Sequence, residues 1–301
     1  MRNVVIVGGS GFIGQHVANR FIEAGNRVWA THSLGRTPPA LDGVQWLPTD
    51  LASAHIASAW PHICDAVLFL AQARNWRNFP ECADDVFRVN LDALHQTVRY
   101  ARAFGAKKLL VASTGTVYEP CAQAMRESDG IDSNAARNFY AASKLAAEIL
   151  LAPYTKFLDI TQLRIFMPYG SGISPDMLFP QLVKRIQTGQ PITLHGADGM
   201  RVNPIAVGDV AEAFWRCLEL QGSATLNLAG AAEWTLRGIG ETIGKVLGLT
   251  PRFDAQTNVQ APVVVGDISA LCRALSWTPG VSLETGLKSW LQFESTGRLA
   301  G

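Results

Sequence analysis

What this sequence lacks narrows its function before any motif is read. Its five cysteines, Cys64, Cys82, Cys121, Cys217 and Cys272, contain no Cys-x-x-Cys pair and no histidine at a partner spacing. That argues against a disulfide framework and reads as reduced, mostly buried thiols in a cytoplasmic protein. Histidines and carboxylates form no cluster with ligand spacing, so no metal is expected. Long apolar runs are missing too. Nothing approaches the ~18 residues of a membrane span, and the run in "MRNVVIV" is too short for a secretory signal. There is no excess charge of one sign, with 26 basic residues against 25 acidic ones. The chain therefore has no electrostatic footprint for nucleic acid or an anionic membrane. Repeats and low-complexity tracts are absent, and 301 residues at 48% hydrophobic suffice for one large domain or two coupled lobes.

What is present begins at once. Val4 to Val7 is an unbroken branched apolar run, followed by "GGSGFIG" and then "QHVANRFIEAG". Such a run predicts a strand buried on both faces of a parallel sheet. Ile13, Val17, Phe21 and Ile22 then fall at helical spacing, and Gly25 is a natural stop. A further apolar run starts at Val28. Strand, glycine turn, helix and strand within about thirty residues is the context of a dinucleotide fingerprint. Gly8, Gly11 and Gly14, with Phe12 and Ile13 opening the helix, would let backbone approach a pyrophosphate at the helix N-terminus.

The end of the second strand should choose the cofactor. A carboxylate there would bind the ribose 2′-hydroxyl of NAD, whereas arginine accommodates the 2′-phosphate of NADP. The chain reads Thr31, His32, Ser33, then Arg36, with no acid before Asp42. His32, Ser33 and Arg36 are therefore the residues expected at the adenosine ribose, and NADP is favoured over NAD.

Alternation of strand and helix patterns continues through "GVQWLPTD", "DAVLFLAQA", the helical "VFRVNLDALHQTVRYARAFG" and "KKLLVAST". A doubly wound parallel sheet follows, with ligands at the carboxyl ends of its strands. Those ends carry the glycines, Asp50, Ala71 and Thr114. In "YAASKLAAEILL", Tyr140 and Lys144 lie four apart and share a helical face. A tyrosine hydroxyl titrates near 10, too high for a base at neutral pH, and a neighbouring ammonium favours its phenolate. Such a pair can move a proton on a substrate hydroxyl while hydride moves to or from a nicotinamide.

Taken together, these motifs resemble the extended short-chain dehydrogenase/reductases of the NAD-dependent epimerase/dehydratase family. "GGSGFIG" is similar to that family's opening motif, and Asp50-Leu51 to its adenine-contacting pair. Leu70, Ala71 and Gln72 stand at its cofactor-lining strand end, and Asn90 at the asparagine of its "VN" motif. "STGTVYE" places Thr114 at the catalytic Ser/Thr, and "YAASK" is similar to the catalytic Tyr-x-x-x-Lys. "LRIFMPYGSG", "GMRVNPIAVGDVAEAF" and "LSWTPG" resemble the segments that cross to, return from and close the substrate lobe.

The resemblance implies a Rossmann domain over residues 1–165 plus about 202–229. A smaller C-terminal substrate lobe would use about 166–201 and 230–301. It implies Tyr140 as acid/base, Lys144 holding the nicotinamide ribose and lowering the tyrosine pKa, and Thr114 binding the reacting oxygen. Thr116, Met167 and Arg201 would face the substrate, which the resemblance makes a nucleotide-activated sugar. Departures matter as well. Gly115 and Thr116 replace the Asp-Glu of sugar dehydratases, Met167 replaces a common asparagine, and Gly208 replaces the first aspartate of a "V-D-D" motif. The expected function is a 4-epimerase or 4-ketoreductase. Alternatives are an NADPH-dependent reductase of a non-sugar carbonyl and a non-catalytic dinucleotide sensor. Extra apolar positions at Phe87, Leu91, Leu94 and Val98, and at Leu145, Ile149 and Ala152, suggest a homodimer built on two helices.

Overall fold

The computed structural model describes residues 1–53, 55–57, 59–119, 121–131 and 138–296. The opening pattern folds as expected: β1 (Asn3–Val7), α1 (Phe12–Glu23) and β2 (Arg27–Ser33). Val4 to Val7 are fully buried, which is why that stretch is apolar without alternation. β3 (Val44–Thr49), β4 (Ala66–Phe69), β5 (Lys108–Thr114) and β6 (Asp159–Ile165) follow. With the strand Ala224–Leu228 they make a seven-stranded sheet, ordered Ala224–Leu228, β6, β5, β4, β1, β2, β3. β1 pairs in parallel with both β2 and β4, through Val4↔Val28 and Val4↔Ala66. The winding therefore reverses between β1 and β4, and the carboxyl ends there are where sheets of this kind take a ligand.

The segment that reads in sequence as one helix is three consecutive pieces. α2 (Ala83–Phe87) runs into a π-helical turn (Arg88–Asp92) and then α3 (Ala93–Ala103). α4 (Phe139–Leu151) starts under an Asn138 cap, whose side chain accepts from the Ala141 N–H at 2.7 Å. Helices and sheet enclose a core that includes Val5, Val67, Phe69, Leu94, Val98, Leu109, Val111 and Leu151. Leu94 and Val98 belong to this core, so they do not form an outer apolar face of α3; the exposed residues there are His95, Arg99, Arg102 and Ala103. Exposed apolar side chains nearby are Phe87, Ile149, Leu150 and Phe157.

Two compact units divide the chain. The first comprises Met1–Val117, Gly130–Arg164 and Ala211–Leu226; the second comprises Tyr118–Asp129, Ile165–Val210 and Asn227–Gly301. The segment around Met125 packs with the second unit because its N–H donates to the Val265 carbonyl and its carbonyl accepts from Asn227 Nδ2. That unit also carries α5 (Leu178–Gln187), whose buried face is Phe179, Leu182, Val183 and Ile186. The helix Leu236–Leu247 is capped by Thr235 and stopped by Gly248 in the left-handed conformation. Among the described residues no helix is long and apolar enough to cross a membrane.

Candidate active site

The glycine loop is shaped by close approach. Gly8 has φ of 87°, and a Cβ there would lie 2.7 Å from the Ala71 Cα at the end of β4. Any side chain would be both strained and blocked. A Cβ on Gly14 would press on the loop's own backbone, including Gly9 Cα at 2.8 Å, so only glycine lets α1 start this close to the turn. Thr31 holds the loop from β2: its hydroxyl accepts from Gly8 N–H at 2.8 Å, and its carbonyl accepts from Ser10 N–H at 3.2 Å. α1 begins at Phe12 and Ile13 after Gly11, with no side chain capping it and no acid in its first turn. An uncapped, acid-free helix start beside a tight glycine turn fits a pyrophosphate.

Beyond Thr31, His32 packs edge-on to Trp46 with ring centroids 6.0 Å apart. Ser33 meets Arg36 through the main chain and Arg74 through its side chain. Its carbonyl accepts from the Arg36 N–H at 3.2 Å, and its hydroxyl accepts from Arg74 Nη2 at 3.2 Å. Arg74 lies 38 residues past Arg36 in sequence and enters only because the chain returns through β4 to the neighbouring strand end. Nothing in its local sequence marks it. Asp50 closes a turn by accepting from Ala52 N–H at 3.0 Å, and Leu51 packs against the sheet core.

Asn90 sits in the π turn and is buried. The extra residue of a π turn shifts the helical phase, and such turns recur at functional sites. Its amide donates to Gln72 Oε1 at 3.0 Å and Ser143 Oγ at 2.8 Å, while its oxygen accepts from Ala73 N–H at 3.2 Å. Leu70 is tied to β1, its N–H donating to the Val7 carbonyl at 2.9 Å. Asn90 thus couples the end of β4 to α4. It is a brace between the backbone that follows β4 and the helix that carries Tyr140.

Thr114 ends β5, and its hydroxyl meets Thr116 twice, at Oγ1 (3.2 Å) and at the backbone N–H (3.2 Å). On α4, Tyr140 is half-buried, and burial is the largest influence on its phenol, raising its pKa. A hydrogen bond with Thr114 and the positive charge of Arg77 work the other way. Lys144 is buried, its Nζ donates to the Ala112 carbonyl at 3.0 Å, and it lies 5.9 Å from the Tyr140 ring centroid. Burial lowers its pKa from 10.5 to about 8.

One turn further, Glu148 is buried and receives three bonds. Arg164 of β6 pairs with it through Nε (3.0 Å) and Nη2 (2.6 Å), and Ser113 of β5 donates at 2.5 Å. This ties β5, α4 and β6 together directly beneath Thr114 and Lys144. A water-sized cavity of about 10 Å³ lies here, lined by Asn90, Ser113, Lys144 and Glu148 among others. Glu148 is not among the residues the motifs single out, although its place four residues after Lys144 is a visible signal.

In the second unit, Met167 adopts φ of 42°, a left-handed conformation that asparagine takes more readily than methionine. Arg201 pairs with Glu233 at 2.5 Å, both half-exposed. Glu233 directly precedes the strand that pairs with the strand of Arg201, and no sequence motif marks it. His195 ends the strand Ile192–His195 and is exposed.

The profile of the NAD dependent epimerase/dehydratase family matches residues 4–229. A UDP-glucuronate 4-epimerase from Thermodesulfobacterium geofontis (strain OPF15) is 30% identical over 205 residues, covering 66% of this chain and 62% of that protein. The aligned stretch thus spans under two thirds of that relative. A dTDP-4-dehydro-6-deoxy-D-allose reductase from Streptomyces bikiniensis is 25% identical over 309 residues, covering 95% of this chain and 94% of the relative. Among solved structures, a Thermus thermophilus UDP-glucose 4-epimerase complexed with NAD has a TM-score of 0.82 at 24% identity. The match covers 98% of this chain and 100% of that one, a likeness of fold. The profile match runs from the first strand of the sheet to its last, and so takes in every strand that carries the site: the chain belongs to the NAD-dependent epimerase/dehydratase family of extended short-chain dehydrogenase/reductase enzymes.

Proposed function

We propose that this enzyme interconverts a secondary alcohol and ketone at C4 of a nucleotide-activated sugar, as a 4-epimerase. The observation that carries the reading is the meeting of Thr114 and Tyr140 at the carboxyl end of β5, with Lys144 one helical turn away. The dinucleotide would be held by the Gly8–Gly14 loop and α1 start, with Asp50 and Leu51 toward its adenine and Gln72 and Asn90 toward its nicotinamide half. When bound, a nicotinamide dinucleotide supplies and removes hydride at the substrate carbon. Tyr140 takes the proton from the substrate hydroxyl and returns it to the carbonyl oxygen. Thr114 donates a hydrogen bond to that same oxygen and fixes its distance from the phenol. Lys144 is assigned the ribose and adds positive charge on the phenolate side. Thr116, Met167 and Arg201 are assigned to the substrate; for Arg201, an anionic group would compete with Glu233.

A second reading, a 4-ketoreductase consuming NADPH, is favoured by the end of β2. The Arg74 guanidinium bonds Ser33 there, Arg36 follows three residues on, and no acid stands at His32 to repel a 2′-phosphate. NADP is accordingly the cofactor we assign. We also assign a homodimer, through the exposed Ile149 and Leu150 of α4 with Phe87 and Phe157.

The deciding experiment incubates the purified protein with UDP-glucuronate and UDP-glucose plus NAD or NADP, and with a dTDP-4-keto sugar plus NADPH. Exchange at C4 without net cofactor consumption supports the epimerase. Stoichiometric NADPH oxidation supports the reductase. Binding of either dinucleotide with no turnover of any of these sugars overturns both.

A further inference from the structure

The loop between β4 and α2, "ARNWRNFPEC", lies beyond the strand motif that ends at Ala73, and its residues after Arg74 are built against the acid/base. Ala73, Cys82 and Val86 bury together as a small core, against which Trp76, Val89 and Phe139 pack. Phe139 immediately precedes Tyr140, and Phe79 stacks on it at 5.3 Å between ring centroids. The loop is also pinned by backbone bonds, from Cys82 N–H to Asn78 at 2.8 Å and from Asn78 N–H to Asn75 at 2.9 Å. Its first residue, Ala73, is held by Asn90. Trp76 lies on Tyr140 itself, ring centroids 4.5 Å apart and tilted by 36°. The Arg77 guanidinium sits 4.0 Å from the centre of the same indole.

We propose, building on the reading of Tyr140 as acid/base, that Trp76 and Arg77 are positioning residues for it. The indole fixes the orientation of the phenol ring, and the guanidinium, held on the indole face, fixes a positive charge beside the phenol. Indole is the best aromatic platform for a cation, and guanidinium keeps its charge throughout the working pH range. A fixed cation favours the phenolate over the phenol and so opposes the effect of burial. Arg77 and the hydrogen bond with Thr114 both oppose the upward push that burial gives the Tyr140 pKa.

Other charged groups on the packed elements are placed differently. Lys144 is buried and bonded to Ala112, and Glu148 is locked to Arg164 and Ser113. Asp84 and Asp85 of α2 and Arg88 of the π turn are exposed, and Asp92 is bonded to Gln96. Lys108 starts β5 at the end opposite Thr114, bonded to the Leu220 carbonyl, and Lys156 lies beyond the far end of α4. Asp132 and Arg137 lie outside the described residues. Arg77 is exposed, so its influence should weaken with added salt, unlike that of a buried charge.

The test is an ultraviolet tyrosinate titration of the cofactor-free protein, with Tyr140 isolated as the difference between each protein and its Tyr140→Phe counterpart. Tyr100 and Tyr169 are pushed far up by burial and stay out of the window. Arg77→Ala and Arg77→Gln should raise the Tyr140 midpoint by about half a pH unit or more, with Arg77→Lys restoring part of it. Molar salt should shrink the gap. Trp76→Ala should raise it likewise and lower kcat, and Trp76→Phe should retain most of both. The acid limb of kcat against pH in the oxidative direction, where activity rises as the phenol loses its proton, should move upward with the midpoint. Coincident titrations of wild type and both neutral Arg77 variants would overturn the proposal. Failure of the enzyme reading would show separately, as Tyr140→Phe retaining turnover.

Discussion

Replacing Lys144 by methionine should change how stability depends on pH, in a window set by one buried ammonium. The side chain is 6% exposed, and burial takes its pKa from 10.5 in the unfolded chain to about 8 in the folded one. Below pH 8 both states hold the proton, so the group contributes no slope. Between 8 and 10.5 the unfolded chain binds the proton and the folded chain does not, so stability rises with pH. Above 10.5 the slope is again zero. A gap of about 2.5 pH units at about 1.4 kcal/mol per unit is worth about 3 kcal/mol across the window. Lys144→Met removes that rise. It also leaves the Ala112 carbonyl without its donor, a loss of about 1–3 kcal/mol that does not vary with pH. The offset and the slope are therefore separable. Urea unfolding of cofactor-free wild type and variant at half-unit steps from pH 7 to 10.5 gives the difference curve, in which all other titrations cancel. It should climb by about 3 kcal/mol in favour of wild type. A difference that stays flat within about 1 kcal/mol would refute the burial argument for this lysine.

Tyr140→Phe should lower kcat by ~10²–10⁴-fold while dinucleotide affinity, read by calorimetry, changes little, because the ring still packs on Trp76. Arg36→Ala and Arg74→Ala should each weaken NADP relative to NAD by roughly tenfold to a hundredfold in paired titrations; equal losses for both cofactors would remove the 2′-phosphate assignment. Ile149→Asp should convert the dimer to a monomer by light scattering without disturbing the fold, since that side chain is 64% exposed; a wild type that is already monomeric at micromolar concentration would end the dimer assignment.

Much of this architecture is local and therefore readable. Val4–Val7, the glycine turn and the amphipathic helix after it are short-range patterns, and Gly8 and Gly14 are required by the adjacent strand end and by backbone a few residues away. Tyr140 and Lys144 are one helical turn apart, so their shared face follows from spacing alone. Other features depend on which strands lie side by side. Arg74 reaches Ser33 only because β4 and β2 flank β1. Glu148 finds Arg164 only because β6 lies beside β5 under α4, and their charges do not reveal a pair in the sequence. Leu94 and Val98 read in sequence as a second apolar face, but the π turn at 88–92 resets the helical phase and turns them inward with Asn90. Trp76 and Arg77 sit in a loop without periodicity, and only packing against Phe139 and Tyr140 brings them to the chemistry. Periodicity and spacing encode contacts within one element or one turn. Contacts between elements depend on sheet order and helical phase, and those are decided when the whole chain packs.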